Sequence, residues 1–517
     1  MFNFFKRSSP AQSLPEVEVD LSGIYREEQP AKKATHAQQV NQLRYAAAKS
    51  ERLIKRVGGG VLSVDETLRR DLNNLRSASR QGGEDIGYVK KYFGMVQTHV
   101  VGDKGFRLQA EPRLASGKID KRSAQSIETA YKEFNKLGVC EISGRMNGIS
   151  ADQLIVKTVS QDGDVLIRHI DGADNKFGYA FQIIESDRLD TSLYKDLGGG
   201  KQIKMGVEID AYGRHLAYHI LTSHPGEYTY AHGHRKYIRI PASEIILPFP
   251  MWRPGQTRGV PWAHAALLEM HDIGGYRESM AVGARLGAAN MAVYERDPEL
   301  AVSDEQWTDE GEFLVELEPG GATISPEGYR LRETKFQMPG EGFGSFQKAA
   351  LRGSASGMDV NYNVLGNDYE GVSWSTMRQA ILEDRDHWKR LQGWYISQVK
   401  TPIYERWLRN ALLKGAIDGL RAYDLARVAG HQFAGRRWQW VDPLKDEQAV
   451  GEAMGNFTIN PMDVLNDKGV DLEQMQEGWV RYLDVMGPAI QAAQKLGFGN
   501  KKMQSMSPAP KENPEEN

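Results

Sequence analysis

The residues of this 517-residue chain that could do chemistry fall into glycine–lysine, glycine-only and histidine clusters, and each lacks a specific requirement. A phosphate-cradling loop needs spaced glycines followed by Lys-Ser or Lys-Thr, so that backbone N–H groups surround the phosphates and the hydroxyl reaches a metal. Gly198, Gly199, Gly200 and Lys201 come nearest, but Gln202 follows the lysine and the earlier glycine spacing is missing. Gly340, Gly342 and Gly344 do not complete a dinucleotide fingerprint, because no strand precedes them and the third glycine is out of register; they read as a hinge. Five of the twelve histidines lie between His215 and His234, and His232 with His234 could share a metal if a carboxylate such as Glu227 joined them. They could also be surface residues of a hairpin and its loop, and neither an HExxH spacing nor a thiolate supports the metal. With no G-x-S-x-G elbow there is no anchor for nucleophilic hydrolysis. The chain reads as non-enzymatic, with no cofactor and no metal.

Composition narrows the classes further. The length exceeds one compact core and suggests about three or four structural units. A net charge of -3 and a pI of about 6.5 disfavour a protein that grips nucleic acid over a broad basic surface. The single cysteine, Cys140, excludes an internal disulfide framework and a multi-thiolate zinc site, and reads as buried filler beside Val139 and Ile142. The opening MFNFFKR is too short for a signal peptide, and no apolar run is long enough to span a membrane.

The elements that must position any site follow from period and punctuation. Residues 1–60 mix Pro, Ser, Gln and charge and end in a triple glycine, an arm with a flexible joint. Ser63 with Glu66 proposes a capping box for a helix to Tyr92 carrying Leu68, Leu72 and Leu75. Alternation at Ile203, Met205, Val207 and Ile209, a turn at Asp210–Gly213 and the run Arg214–Leu221 predict a hairpin. Ser150–Val159 fits both periods and is taken as helix. Pro261–Ala288 reads as a glycine-rich helix, whose glycines suggest close approach by neighbouring helices or simple weakness. Residues 291–335 turn acidic and turn-rich, with a strand at Phe313–Leu317, and look like a separately folded insert. A helix at Phe346–Met358 precedes an Asn- and Gly-rich loop. Then Trp374, Met377, Ile381, Trp388, Leu391, Tyr395, Val399 and Ile403 place one apolar stripe on a long helix that Pro402 bends. A last helical unit includes Thr458–Gly469, and the closing segment reads as a disordered tail.

Four stretches, in this order and spacing, resemble the lambda-type portal proteins of tailed bacteriophages: NNLRSASRQ from Asn73, GVEIDAYGRHLAYHI from Gly206, IPASEIILPFPMWRPGQTRGVPW from Ile240 and NDYEGVSWSTMRQAILEDR from Asn367. The resemblance runs from about Leu68 to Trp479 and implies an α+β portal fold, with a mixed α/β wing, a helical stem, a small α/β clip, a long wing helix and a helical crown. It divides the chain into arm 1–60, wing 61–260, stem helix 261–288, clip 289–340, second stem helix 341–358, tunnel loop 359–373, long wing helix 374–413, crown 414–497 and tail 498–517. It further implies a homo-oligomeric ring, a dodecamer, at one capsid vertex in the virion, assembled in the host cytoplasm. Its implied partners are the double-stranded DNA passing through it, the terminase large subunit, the major capsid or scaffold protein and a head-completion adaptor, with no membrane.

The residues carried over are Tyr362, Asn363, Asn367, Asp368 and Tyr369 as loop contacts to DNA, and Asp304, Glu305, Trp307, Asp309 and Glu310 as the terminase and adaptor docking face. Trp307 reads either as an interface anchor amid charges or as the core of the insert. The loop departs from a basic DNA grip in carrying no Lys or Arg. In a ring, each carboxylate of the insert repeats at one height and forms a band that repels phosphates. Rival readings are a metal-dependent DNA-processing nuclease built on His232 and His234, or another multimeric virion protein such as a head-to-tail adaptor.

Overall fold

A computed structural model of the chain describes residues 62–227, 236–288, 292–296, 329–333, 342–438, 443–461, 464 and 472–495. Helices α1 (Val64–Asp85) and α2 (Gly87–Val96) come first, and α2 runs into a π-turn at Gln97–Val101. The single helix expected from Ser63 to Tyr92 is thus broken at Ile86, whose backbone is extended. Strand β1 (Arg107–Ala110) leads to α3 (Lys121–Phe134), capped by Asp120, and α4 (Gly148–Asp162), capped by Asn147, whose side chain accepts the Ser150 N–H at 2.8 Å. The cap satisfies an otherwise orphaned donor, which decides the ambiguous segment in favour of helix.

Strands β2 (Leu166–Asp171) and β3 (Tyr179–Ile184) pair antiparallel. A second, five-stranded antiparallel sheet runs in order through β4 (Lys195–Gly198), β5 (Lys201–Lys204), β6 (Val207–Ile209), β7 (His215–Leu221) and β8 (Tyr237–Pro241). The expected hairpin is β6–β7, with Val207 opposite Tyr218. The alternation from Ile203 to Ile209 is not one strand, however. Met205 and Gly206 take φ of 48° and 81° and turn the chain between β5 and β6, a left-handed geometry that Gly adopts without strain. The short β9 (Ile245–Ile246) then pairs with β2.

Helix α5 (His264–Ala288) starts three residues after Pro261, and β10 (Ala292–Arg296) pairs antiparallel with β11 (Tyr329–Glu333), closing the base of the insert. Helix α6 (Gly342–Gly357) packs back along α5. A Cβ at Gly357 would make only ordinary contact with Ala265 and Ala266, at 3.5 Å and beyond, and Gly274 and Gly275 face open space within one chain, so these glycines are not required by the α5–α6 approach. A five-residue helix α7 (Tyr362–Gly366) follows, then α8 (Trp374–Tyr395), a π-turn at Ile396–Lys400 and α9 (Thr401–Leu413). Pro402 lies in the first turn of α9, and the preceding Thr401 N–H reaches the Ile396 carbonyl five residues back. The π-turn thus accommodates a proline that offers no N–H of its own.

The chain then returns through α10 (Leu425–Val428) to β12 (His431–Ala434), which pairs with β1, before α11 (Pro443–Gly455) and α12 (Leu472–Lys495). The expected insert strand Phe313–Leu317 lies outside the described residues, as does most of Thr458–Gly469. The larger core joins α2, α3, α4 and β2–β3 to α8 and α9, with Trp388, Tyr395, Tyr404 and Trp407 fully buried among them. Buried in the same core, the Lys400 ammonium meets Asp152 at 2.9 Å, and the Tyr395 hydroxyl donates to the other Asp152 oxygen at 2.9 Å. This pins the long helix to α4.

Candidate nucleic-acid interface

The segment expected as a tunnel loop is more ordered than its composition suggests. Asn361 caps α7, its side-chain oxygen accepting the N–H groups of Asn363 at 2.7 Å and Val364 at 3.4 Å. Leu365 is the plug, with none of its surface exposed, and Val360 is buried beside it. Asn367 ends the helix in the left-handed region at φ 54°, a conformation asparagine tolerates better than most residues. Asp368 folds back, accepting the Tyr362 hydroxyl at 2.5 Å, while the Asn363 amide donates to its carbonyl at 2.7 Å. Of the five expected contact residues, Tyr362, Asn363 and Asp368 are therefore tied to one another, and Asn367 and Tyr369 are the exposed pair.

Although the segment has no cation of its own, flanking helices supply them. Lys91 of α2 donates to the Val364 carbonyl and to the Asn367 side chain, capping the C-terminus of α7. Lys348 of α6 lies 3.2 Å from Asp368 and 3.3 Å from Glu370, and Arg352 sits 5.2 Å from the centre of the Tyr362 ring. The Tyr362 hydroxyl and Lys348 hold Asp368 below the usual carboxylate range. Asp368 and Glu370 in turn raise the Lys348 ammonium. On the other side, an open cleft of about 660 Å³ is lined by Asp359, Glu383, Asp384, Asp386, His387 and Arg390. Burial pushes the Asp384 carboxyl up to about 6 against the Asn361 N–H bond that favours its charge.

Two of the four motif stretches, those from Asn73 and Ile240, converge on a buried ion network that their composition did not announce. Arg258 and Asp164 are both fully buried and meet through two bonds, of 2.7 and 3.0 Å. Arg258 also donates to the carbonyls of Leu189, Met205 and Ser186. Arg76 reaches Asp164 at 2.7 Å and the Asp162 carbonyl at 2.8 Å, and Arg80 grips Asp162 and Asp187. Burial would raise the Asp164 carboxyl, but Arg258, Arg76 and the Gly259 N–H outweigh it and hold it well below the usual range. Gly259 must be glycine, because a Cβ there would lie 2.0 Å from the Gly163 carbonyl oxygen. One signal was available in the sequence: Arg76 continues the Leu68, Leu72 face of α1 at a step of four, so a charge was bound to be buried and paired.

His232 and His234 lie outside the described residues, as do Asp304, Glu305, Trp307, Asp309 and Glu310. Among the described residues, Glu185, Asp187 and His224 bring three metal-ligating atoms together. Arg80 already bonds Asp187 at 2.5 Å and lies 3.2 Å from Glu185, so a guanidinium holds the place a cation would take. The Gly226 N–H donates to His224 Nδ1 at 3.0 Å, so a neutral ring carries its proton on Nε2, the atom facing the carboxylates. The cluster is an ion pair with a histidine rim.

A family described as "Phage portal protein, lambda family" matches residues 50–392. The chain belongs to this family of phage portal proteins. The match contains all four motif stretches, the ion network, α6, α7 and most of α8, and it stops short of the expected limit at Trp479. A protein named "Probable portal protein" from Halomonas phage phiHAP-1 is 33% identical over 413 residues, covering 79% of each chain. "Portal protein B" of Escherichia phage lambda is 22% identical over 414 residues, covering 73% of this chain and 75% of its own. Among solved structures, the chain is similar to one titled "Neck of empty GTA particle computed with C6 symmetry", with TM-score 0.43, 11% identity, and coverage of 78% of this chain and 94% of that one. A portal protein is a structural component of the virion and not an enzyme, which sets the nuclease reading aside. The fold is the α+β one expected, and no helix among the described residues is long and apolar enough to cross a membrane.

Proposed function

We propose that copies of this chain close into a ring of twelve at one capsid vertex, through which double-stranded DNA is packaged and later ejected. The terminase large subunit supplies the ATP-driven force while the ring centres the duplex. In this reading α5 and α6 form the stem, residues 359–373 line the channel, α8 and α9 form the long wing helix, and the segment between β10 and β11 forms the clip. The observation that carries the reading is the family match across residues 50–392, which spans every one of these elements up to most of α8.

The α7 geometry supports the channel assignment in a particular way. A tight, internally bonded turn presenting Asn367 and Tyr369 is a smooth projection, and its Asp368 carboxylate is paired with Lys348, so it offers no strong grip on phosphates. Asp304, Glu305, Trp307, Asp309 and Glu310 are assigned to the motor and adaptor docking face, and the wing to contact with the capsid or scaffold protein. Cryo-electron microscopy of the purified protein tests the assembly: the expected result is a ring of twelve 57.9 kDa copies around a pore wide enough for a duplex. A compact monomer under every assembly condition would overturn it.

A further inference from the structure

We infer that Lys348 and Arg352 of α6 are the phosphate-contacting cations of the channel, and that Asp368 is a built-in competitor that a DNA phosphate displaces from Lys348. The inference rests on the reading of residues 359–373 as channel lining and gives that lining its chemistry. The segment carries three carboxylates, Asp359, Asp368 and Glu370, and no basic residue. The cations that face it are not equivalent. Lys91 is occupied by a backbone carbonyl and an amide oxygen at the end of α7, where it holds the segment to the wing. Lys348 instead faces two carboxylates, with 42% of its side chain exposed, beside Asp368 at 20% and Glu370 at 86%. An exposed pair of this kind contributes little net free energy, because water screens it and two long side chains must be held in one geometry. A phosphate offers the same ammonium a charge-assisted bond of similar strength.

Exchanging one anionic partner for another costs little in either direction. Each passing phosphate can therefore be engaged by Lys348 while Asp368 falls back on the Tyr362 hydroxyl, and released when the carboxylate returns. Arg352, exposed and stacked on the Tyr362 ring, extends the cationic strip by one turn of α6. A ring that repeats this exchange around its lumen holds the duplex on axis without a grip that would have to be broken at each step.

The test uses assembled rings of the full chain and a short fluorescent duplex, with affinity followed by anisotropy as salt is raised. Lys348→Gln and Arg352→Gln should each weaken binding and flatten the dependence of log affinity on log salt by about 0.9 for each phosphate left without its cation. Asp368→Asn should do the opposite, strengthening binding and steepening the slope, because it leaves Lys348 with only the exposed Glu370 as a competing carboxylate. A merely structural role predicts the same sign for both, since Lys348→Gln and Asp368→Asn break the same ion pair. Equal signs, or no change in either, would overturn the inference while leaving the channel reading intact if wild-type rings bind the duplex. Wild-type rings that bind no duplex even at low salt would overturn both.

Discussion

Replacing Arg258 with Met is the most direct test of the ion network as the element that joins the Asn73 and Ile240 motif stretches. The substitution keeps most of the side-chain volume and removes a guanidinium that is fully buried, bonded twice to Asp164 and donating to three backbone carbonyls. Asp164 would keep Arg76 and the Gly259 N–H, so its charge is only partly stranded. Removing one partner of a buried pair costs about 3–5 kcal/mol, and the orphaned carbonyls add to the upper end of that range. Set against a typical folding stability of about 5–15 kcal/mol, this is a large fraction. The control is Arg214→Ala, which breaks an equally short 2.7 Å pair with Asp210, but with the arginine 75% exposed; about 0–1 kcal/mol is expected there. Urea denaturation followed by tryptophan fluorescence separates the two, because a stability change moves the midpoint and leaves the slope unchanged. If both variants shift stability by less than about 1 kcal/mol, the network is not what holds these stretches together.

Three further outcomes are expected. Asp384, raised to about 6 by burial, is most comfortable protonated. Its contribution is fully present below the unfolded carboxylate value and is lost as pH rises through about 6, so Asp384→Asn should flatten the stability profile across that window. After discounting for partial exposure, it should gain about 1 kcal/mol at neutral pH, and thermal melts at several pH values that show a loss instead would refute it. Leu365→Ala should cost about 2–5 kcal/mol of local stability, seen as faster hydrogen exchange across residues 360–368 with ring mass unchanged, whereas unaltered exchange would remove its role as the plug. Trp307→Ala should leave the ring assembled and weaken terminase binding in a pull-down; normal binding would discard the docking assignment.

The long helix was legible because eight apolar residues recur at steps of three, four or seven, but only its later half is a core stripe. Trp388, Tyr395 and Val399 are buried, whereas Trp374 is 63% exposed. Spacing records that a face is apolar, and burial within one chain is a separate fact that assembly can alter. Helix α7 escaped because five residues are too few for a period to show, and its order comes from a capping asparagine, one buried leucine and a tyrosine–aspartate bond. The break at Met205–Gly206 escaped for a related reason: the apolar residues on both sides of it fall at odd positions, so the alternation of residue types runs through the turn uninterrupted, although β6 buries Glu208 along with Val207 and Ile209. The motif stretches were visible as letters, while the shared burial of two of them around Asp164 depends on bonds between residues up to 95 positions apart that no local pattern encodes.

The pairing of β1 with β12 places Arg107 opposite Ala434. The two strands are made far apart in time on the ribosome, and a nascent chain that has not yet emerged past Ala434 leaves β1 as a bare edge without its partner strand. Prematurely terminated polypeptides would thus lack the finished subunit body. A chain cut before His431 would carry the unpaired N–H and C=O groups of β1 at its surface, open to pairing with another copy.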